Sequence, residues 1–89
     1  MISREIEVIN NLGLHARAAA KLVSLAAGFA SRIKLEYAGT SADAKRIMSV
    51  LILAASKGSV LTVTCDGEDE QNAMNAIEEL INDYFGEGQ

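Results

Sequence analysis

The chain has 89 residues, enough for one small domain with a single core, and we expect residues 1–89 to form that one domain. Hydrophobic residues make up 49% and charged residues 22%, a balance that excludes general disorder. The net charge of −4 provides no field that would attract nucleic acid or an anionic membrane. No apolar run approaches the ~18 residues of a membrane span, and the single cysteine forms no internal disulfide. We therefore expect a cytoplasmic protein without membrane insertion.

The first half of the chain predicts a strand, a helix and a second strand. Residues 2–8 alternate imperfectly, but well enough for a strand. Residues 16–27 place apolar side chains on one helical stripe, and Gly28 supplies the stop signal. Residues 32–37 alternate cleanly between apolar and charged side chains, which is typical of an antiparallel sheet with one solvated face.

The second half predicts a short strand, a helix, a strand and a last helix. A turn at 38–40 leads into the short strand, and Asp43 would cap a helix over 44–55. Residues 60–65 are β-branched and apolar, as in a strand. The last helix is expected over 70–84, with Asp69 as its cap, Tyr84 on its apolar stripe and a frayed end beyond Tyr84.

This order of elements predicts the fold class. An antiparallel sheet with all helices on one face would bury every apolar stripe and leave the charged side of residues 32–37 in water. We therefore expect an α+β open-faced sandwich, with a four-stranded antiparallel sheet covered on one face by three helices.

The segment NNLGLHARAAAKLV, residues 10–23, contains the only histidine and breaks a local rule. A helix that begins at Ala16 leaves its first amides without intrahelical partners, and no Ser, Thr, Asp or Asn stands directly before it. Arg17 and Lys21 place positive charge at the helix end where the macrodipole disfavours it. Open amides and two cations together indicate an anion site. His15 could accept a phosphoryl group there, because a neutral imidazole nitrogen is nucleophilic.

Two simpler interpretations of His15 stay open from the residues alone. A lone histidine near a helix start is often an ordinary half-exposed residue. Spacing alone also does not distinguish bound phosphate from covalent phosphate. A metal site is disfavoured, because there is no second histidine and no ligand spacing, so we expect no metal and no cofactor.

The segment NLGLHARAAAKLV closely resembles the active-site segment of HPr, the histidine phosphocarrier family of the bacterial phosphoenolpyruvate-dependent phosphotransferase system. The rest of the chain is similar too, including the glycine-containing SKGSVLTV. The resemblance implies a phosphocarrier that is not an enzyme. His15 would take a phosphoryl group on Nδ1 from phosphorylated enzyme I and pass it to enzyme IIA components. The amides of Ala16 and Arg17 would hold the phosphoryl oxygens, and the Arg17 side chain would assist transfer.

The resemblance also assigns a docking patch, and we expect a monomer because a carrier must present one small face to successive partners. The patch for partner proteins would contain Ile47, Met48, Leu51 and Ala20. The alternative explanation for the apolar residues of this patch is that they form the core side of a helix.

Two positions depart from the family pattern. HPr proteins commonly have proline directly after the active-site arginine, whereas this chain has Ala18, and we expect transfer to survive. HPr proteins regulated by HPr kinase carry a serine where this chain has Arg46, so we expect no regulatory serine. Ser41 and Ser49 lie nearby, but neither matches the motif position.

Three competing functions remain. The nitrogen-related paralogue NPr performs the same chemistry in a regulatory branch. An acylphosphatase-like hydrolase would also hold phosphate with an arginine and backbone amides, but would release it without a covalent histidine. A ligand-binding regulatory module would not be phosphorylated at all.

Overall fold

The computed structural model describes residues 1–87 and contains one four-stranded antiparallel sheet with strand order β1-β4-β2-β3. Along the chain the elements are β1 (Ile2–Glu7), α1 (Ala16–Ala27), β2 (Arg32–Tyr37), β3 (Thr40–Asp43), α2 (Ile47–Ile52), β4 (Val60–Asp66) and α3 (Glu70–Asn82), followed by a 3-10 turn (Tyr84–Gly86). The predicted bounds of α1 and β2 are confirmed, and so is the fold class. None of the helices within residues 1–87 is both long and apolar enough to cross a bilayer.

The core lies between one face of the sheet and the helices. On β2 and β4, alternate side chains are buried (Ile33, Leu35, Leu61, Val63, Cys65), because successive residues of a strand point to opposite faces. The apolar stripes of α1 and α3 pack against this face (Ala18, Ala19, Leu22, Ala26, Ala73, Met74, Ile77, Ile81). Arg32 and Lys34, on the opposite face of β2, are exposed as predicted.

The second helix is much shorter than predicted, and Asp43 does not cap it. Asp43 still pairs with Lys34 as the last residue of β3, and the Ala44 amide donates to the Ile33 carbonyl at 2.9 Å. Sheet pairing therefore keeps the backbone extended past the expected helix start. The carboxylate of Asp43 instead accepts from the Lys45 amide at 2.9 Å, and α2 begins after Arg46.

The prediction that Asp69 caps the last helix is also wrong, although Asp69 does stand at the N-cap position. Its carboxylate accepts hydrogen bonds from the Ala30 amide (2.8 Å), the Ser31 amide (2.9 Å) and the Ser31 hydroxyl. These donors belong to the loop between α1 and β2, distant in sequence. The side chain therefore links two loops, and Glu70 accepts from the Gly67 amide at the helix start instead.

The end of the chain departs from prediction in two ways. The helix stops at Asn82, so Tyr84 lies outside it and not on its apolar stripe. The expected fraying beyond Tyr84 is wrong through residue 87, because Phe85 is fully buried and Glu87 contacts α1. The part of that prediction that concerns residues 88–89 lies outside the described residues.

Gly13 fixes the loop that precedes α1. Its φ is +63°, and a Cβ at this position would lie 2.5 Å from the carbonyl oxygen of Ala55 and 2.8 Å from Cα of Ser56. The Leu14 amide donates to the same carbonyl at 2.9 Å, and Asn10 Nδ2 donates to the Gly13 carbonyl at 2.8 Å. Only a residue without a side chain lets the loop lie this close to the segment after α2.

Gly13→Ala is expected to destabilise the protein by about 3 kcal/mol, because it combines a left-handed φ with a backbone clash. Gly39→Ala is the matched control: its φ of +82° imposes similar strain, but no atom of the described residues 1–87 lies within 4 Å of the added Cβ. We expect the control to lose about 1 kcal/mol. Urea unfolding of the two variants measures the difference, and equal losses would contradict the close packing of this loop.

The Asp69 contacts predict a pH-dependent stability. The hydrogen bonds from the Ser31 hydroxyl and the Ala30 amide hold the pKa of this carboxyl below its ordinary value. The stabilisation is therefore present above the unfolded-state pKa and is lost as the pH falls through the folded-state pKa. Urea unfolding should show the advantage of the parent over Asp69→Asn shrinking between about pH 6 and about pH 3. An advantage that stays constant over this range would contradict the assignment.

Candidate functional site

The first turn of α1 presents open backbone donors. His15 occupies the N-cap position with extended backbone angles (φ −70°, ψ 173°), and its side chain makes no capping hydrogen bond. The first helical bond runs from the Ala19 amide to the His15 carbonyl at 2.8 Å, and the amides of Ala16, Arg17 and Ala18 have no acceptor within residues 1–87. No acidic side chain lies in this turn. The first turn of this twelve-residue helix therefore supplies no negative charge of its own to the positive helix end, as the sequence predicts.

The imidazole of His15 is partly accessible, with its side chain 24% exposed. Nε2 is the ring nitrogen that is buried, and it has no hydrogen-bond partner within residues 1–87. It lies 3.6 Å from Oε1 of Glu87. The ring therefore turns one nitrogen inward, toward a carboxylate that comes from the end of the chain.

Glu87 connects the predicted site residues and was missed by sequence reasoning. Its carboxylate lies 3.8 Å from the Arg17 guanidinium and 3.0 Å from Lys21 Nζ, which also donates to the Phe85 carbonyl at 2.8 Å. The Lys21 hydrogen bond, supported by the positive charges of Lys21 and Arg17, holds the pKa of Glu87 below its ordinary value. Glu87 is therefore ionised at neutral pH. No local sequence signal could have found this contact, which joins residues more than sixty positions apart.

The predicted docking residues differ in accessibility. Met48 is 66% exposed and Ile47 is also exposed, whereas Leu51 is half-buried against the core. Ala20 is exposed on α1, which packs against α2. Two large exposed apolar side chains were not predicted here, Ile52 on α2 (68%) and Leu12 in the loop before His15 (70%). Leu12 could have been found from the sequence, because it lies in the same segment as His15, three residues before it.

Residues 1–87 contain no cluster of three histidine, cysteine, aspartate or glutamate side chains that could hold a metal ion. The site is therefore built from backbone amides, one imidazole, two cations and one carboxylate.

Residues 2–83 match a family model described as the PTS HPr component phosphorylation site. Phosphocarrier protein HPr of Cupriavidus necator is 52% identical over the full length of both chains. The chain belongs to the HPr family. A crystal structure of HPr from Thermoanaerobacter tengcongensis superposes with a TM-score of 0.94, at 40% identity and with 98% of each chain covered. A structure of an HPr dimer from the same organism gives a TM-score of 0.79 at 40% identity, covering 98% of this chain and 100% of that one.

Members of the HPr family are phosphocarriers of the phosphotransferase system and not catalysts. Membership in this family therefore argues against the acylphosphatase-like and ligand-binding interpretations.

The two residues that depart from the family pattern, Ala18 and Arg46, lie at the starts of two helices. Ala18 is buried in the first turn of α1, and Arg46 stands at the N-cap of α2, with its Nε 3.7 Å from Asp43.

Proline substitutions test whether the first turn is open. Ala18→Pro should change the free energy of unfolding by less than about 1.5 kcal/mol, because the Ala18 amide has no acceptor among residues 1–87 and HPr proteins commonly have proline here. Ala19→Pro is the matched comparison, since Ala19 is equally buried but its amide donates to His15. It should cost about 3 kcal/mol or more. Similar losses in urea unfolding would mean that the Ala18 amide is not free.

Proposed function

We propose that His15 accepts a phosphoryl group on Nδ1 from phosphorylated enzyme I and donates it to enzyme IIA components. The observation that carries this proposal is the open backbone amides of the helix start directly at the histidine, which have no acceptor within residues 1–87. A phosphorylated side chain carries close to two negative charges, and the open amides of Ala16 and Arg17 are the donors nearest to it along the chain. Family membership supports the same chemistry.

The transfer step needs no cofactor. The Nδ1 lone pair forms a bond to phosphorus while the bond between phosphorus and its donor breaks, and the donor keeps that electron pair. The reverse exchange delivers the phosphoryl group to the acceptor. The helix end, equivalent to roughly half a positive charge, stabilises the charge on the phosphoryl oxygens without any rearrangement.

The Arg17 side chain can exchange its contact with Glu87 for a contact with the phosphoryl group on His15. Its side chain is 74% exposed, and its contact with Glu87 is long, at 3.8 Å. A long ion pair with an exposed partner contributes little to stability, so it is exchanged at little cost for a dianion on His15. The guanidinium then supplies charge-assisted hydrogen bonds to the phosphoryl oxygens.

Partner proteins would dock beside the histidine. We assign this role to Ile47, Met48, Leu51 and Ala20, with Met48 as an adaptable contact for several partners. A docking patch of only four residues suits a monomeric cytoplasmic carrier that binds its partner proteins one after another. Arg46 occupies the position of the serine that HPr kinase would phosphorylate, so we expect no regulation at that position.

The second candidate function is the NPr-type carrier of the nitrogen-related branch. The same site would perform the same chemistry there, and the absence of a serine at position 46 favours it. Phosphorylation rates with the enzyme I of each branch distinguish the two, and we expect the faster rate with the enzyme I of the sugar branch.

Incubation with enzyme I and phosphoenolpyruvate should give a phosphoryl adduct that is labile in acid and stable in base. His15→Ala should abolish this adduct. Labelling of His15→Ala at the parent's rate would contradict the carrier proposal.

Arg17→Ala tests the guanidinium in the same assay. The rate of phosphoryl acceptance should fall on the order of 100-fold, as when one oxyanion donor is removed. Arg32→Ala is the matched control, because it removes the same charge from the exposed sheet face and should leave the rate unchanged.

A further inference from the structure

We propose that Glu87 is a positioning residue for His15: its carboxylate, held by Lys21, faces Nε2 of the imidazole and reserves Nδ1 for phosphorus. The inference rests on the proposed phosphocarrier function and names a further residue of that site. Three features support it: the contacts of the carboxylate, a small cavity whose lining residues include two with unpartnered polar atoms, and the backbone conformation that places Glu87.

The cavity beside the imidazole has a volume of about 20 Å³ and is lined by Asn10, Leu12, His15 and Glu87. Two of these residues contribute buried polar atoms without a partner in residues 1–87, Asn10 Oδ1 and His15 Nε2. A volume of this size accommodates one water molecule where two or more polar groups converge. The 3.6 Å between Nε2 and Glu87 Oε1 is too long for a good direct hydrogen bond and is suited to a bridging water.

The hydrogen-bond acceptors around the cavity determine which nitrogen of the His15 ring carries the proton. The Nδ2 group of Asn10 donates to the Gly13 carbonyl, so its free Oδ1 is an acceptor. The ionised carboxylate of Glu87 is also an acceptor. A water in the cavity can donate to both and then accepts its third hydrogen bond from the ring, which requires a proton on Nε2. Nδ1 is then the nitrogen with the free lone pair.

The chain holds Glu87 in this place firmly. Tyr84, Phe85 and Gly86 have φ values of 55°, 54° and 73°, although two of them carry side chains that disfavour this conformation. Such strain persists only where the surroundings over-determine it. Here Phe85 is fully buried, and Lys21 binds both the Phe85 carbonyl and the Glu87 carboxylate.

The arrangement favours the transfer step. As Nδ1 bonds to phosphorus, the ring gains positive charge while Nε2 keeps its proton. A carboxylate on the Nε2 side stabilises that charge and fixes the orientation of the ring, as hydrogen-bonded carboxylates do for histidines in other sites. Arg17 and Lys21 are the other charged groups at the carboxylate, and they keep it ionised.

The experiment compares the full chain with Glu87→Ala and Glu87→Gln. Glu68→Ala is the matched control, since it removes an equal charge from an exposed turn. Nitrogen-15 NMR of the histidine reports the ring tautomer and whether the Nε2 proton gives a slowly exchanging signal. The rate of phosphoryl acceptance from enzyme I is measured on the same samples, and thermal unfolding verifies that each variant is folded.

The parent and Glu68→Ala should both show the protected Nε2 proton and equal rates. Glu87→Ala should lose the protected signal and accept phosphate about 10-fold more slowly. Glu87→Gln should keep the signal, because its amide oxygen still accepts, and should give an intermediate rate.

Two outcomes would overturn the proposal. One is a protected Nε2 proton and an unchanged rate in Glu87→Ala. The other is a faster rate in that variant, which would show that Glu87 competes with the phosphoryl group for Arg17 and Lys21. Failure of the parent to be phosphorylated at His15 would instead refute the proposed function, while the NMR comparison would still test the contact.

Discussion

The chemistry proposed for this protein depends on three backbone amides at the first turn of α1. Ala16, Arg17 and Ala18 leave their N–H groups without acceptors in the described chain, and the N-cap residue is a histidine that does not cap. A Ser, Thr, Asp or Asn cap would add about 1 kcal/mol of stability, but it would also fill the place where an anion can bind. The helix lacks that stabilisation, and the nucleophilic imidazole of His15 lies beside the open amides instead.

The rest of the fold holds this turn in place from two sides. The loop before α1 lies on the segment after α2, at a distance that only glycine at position 13 permits. From the other side, a strained 3-10 turn anchored by Phe85 brings Glu87 to Lys21, one helical turn beyond Arg17. The site is therefore assembled from the start and the end of the chain, although its recognisable motif is a single continuous segment.

Sequence periodicity and capping patterns correctly predicted those elements whose structure depends on neighbouring residues. The periodicity of residues 16–27 and 32–37 predicted α1 and β2 to the residue, and the sequence also predicted that the start of α1 has no side-chain cap. Predictions failed where distant pairing outweighs local preference. Pairing of β3 with β2 removes the first turn expected for α2, Asp69 binds a loop thirty-eight residues away instead of its own helix, and Glu87 reaches α1 from the far end. None of these three contacts leaves a pattern in the neighbouring sequence.

The most direct test of the central claim is a backbone amide NMR spectrum recorded before and after phosphorylation by enzyme I and phosphoenolpyruvate. If the open amides hold the phosphoryl group, the resonances of Ala16 and Arg17 should move most, and the phosphorus should couple to Nδ1 of His15. Amides in the middle of the same helix, such as that of Val23, should move little. A phosphorylated protein whose Ala16 and Arg17 resonances stay in place would contradict the account.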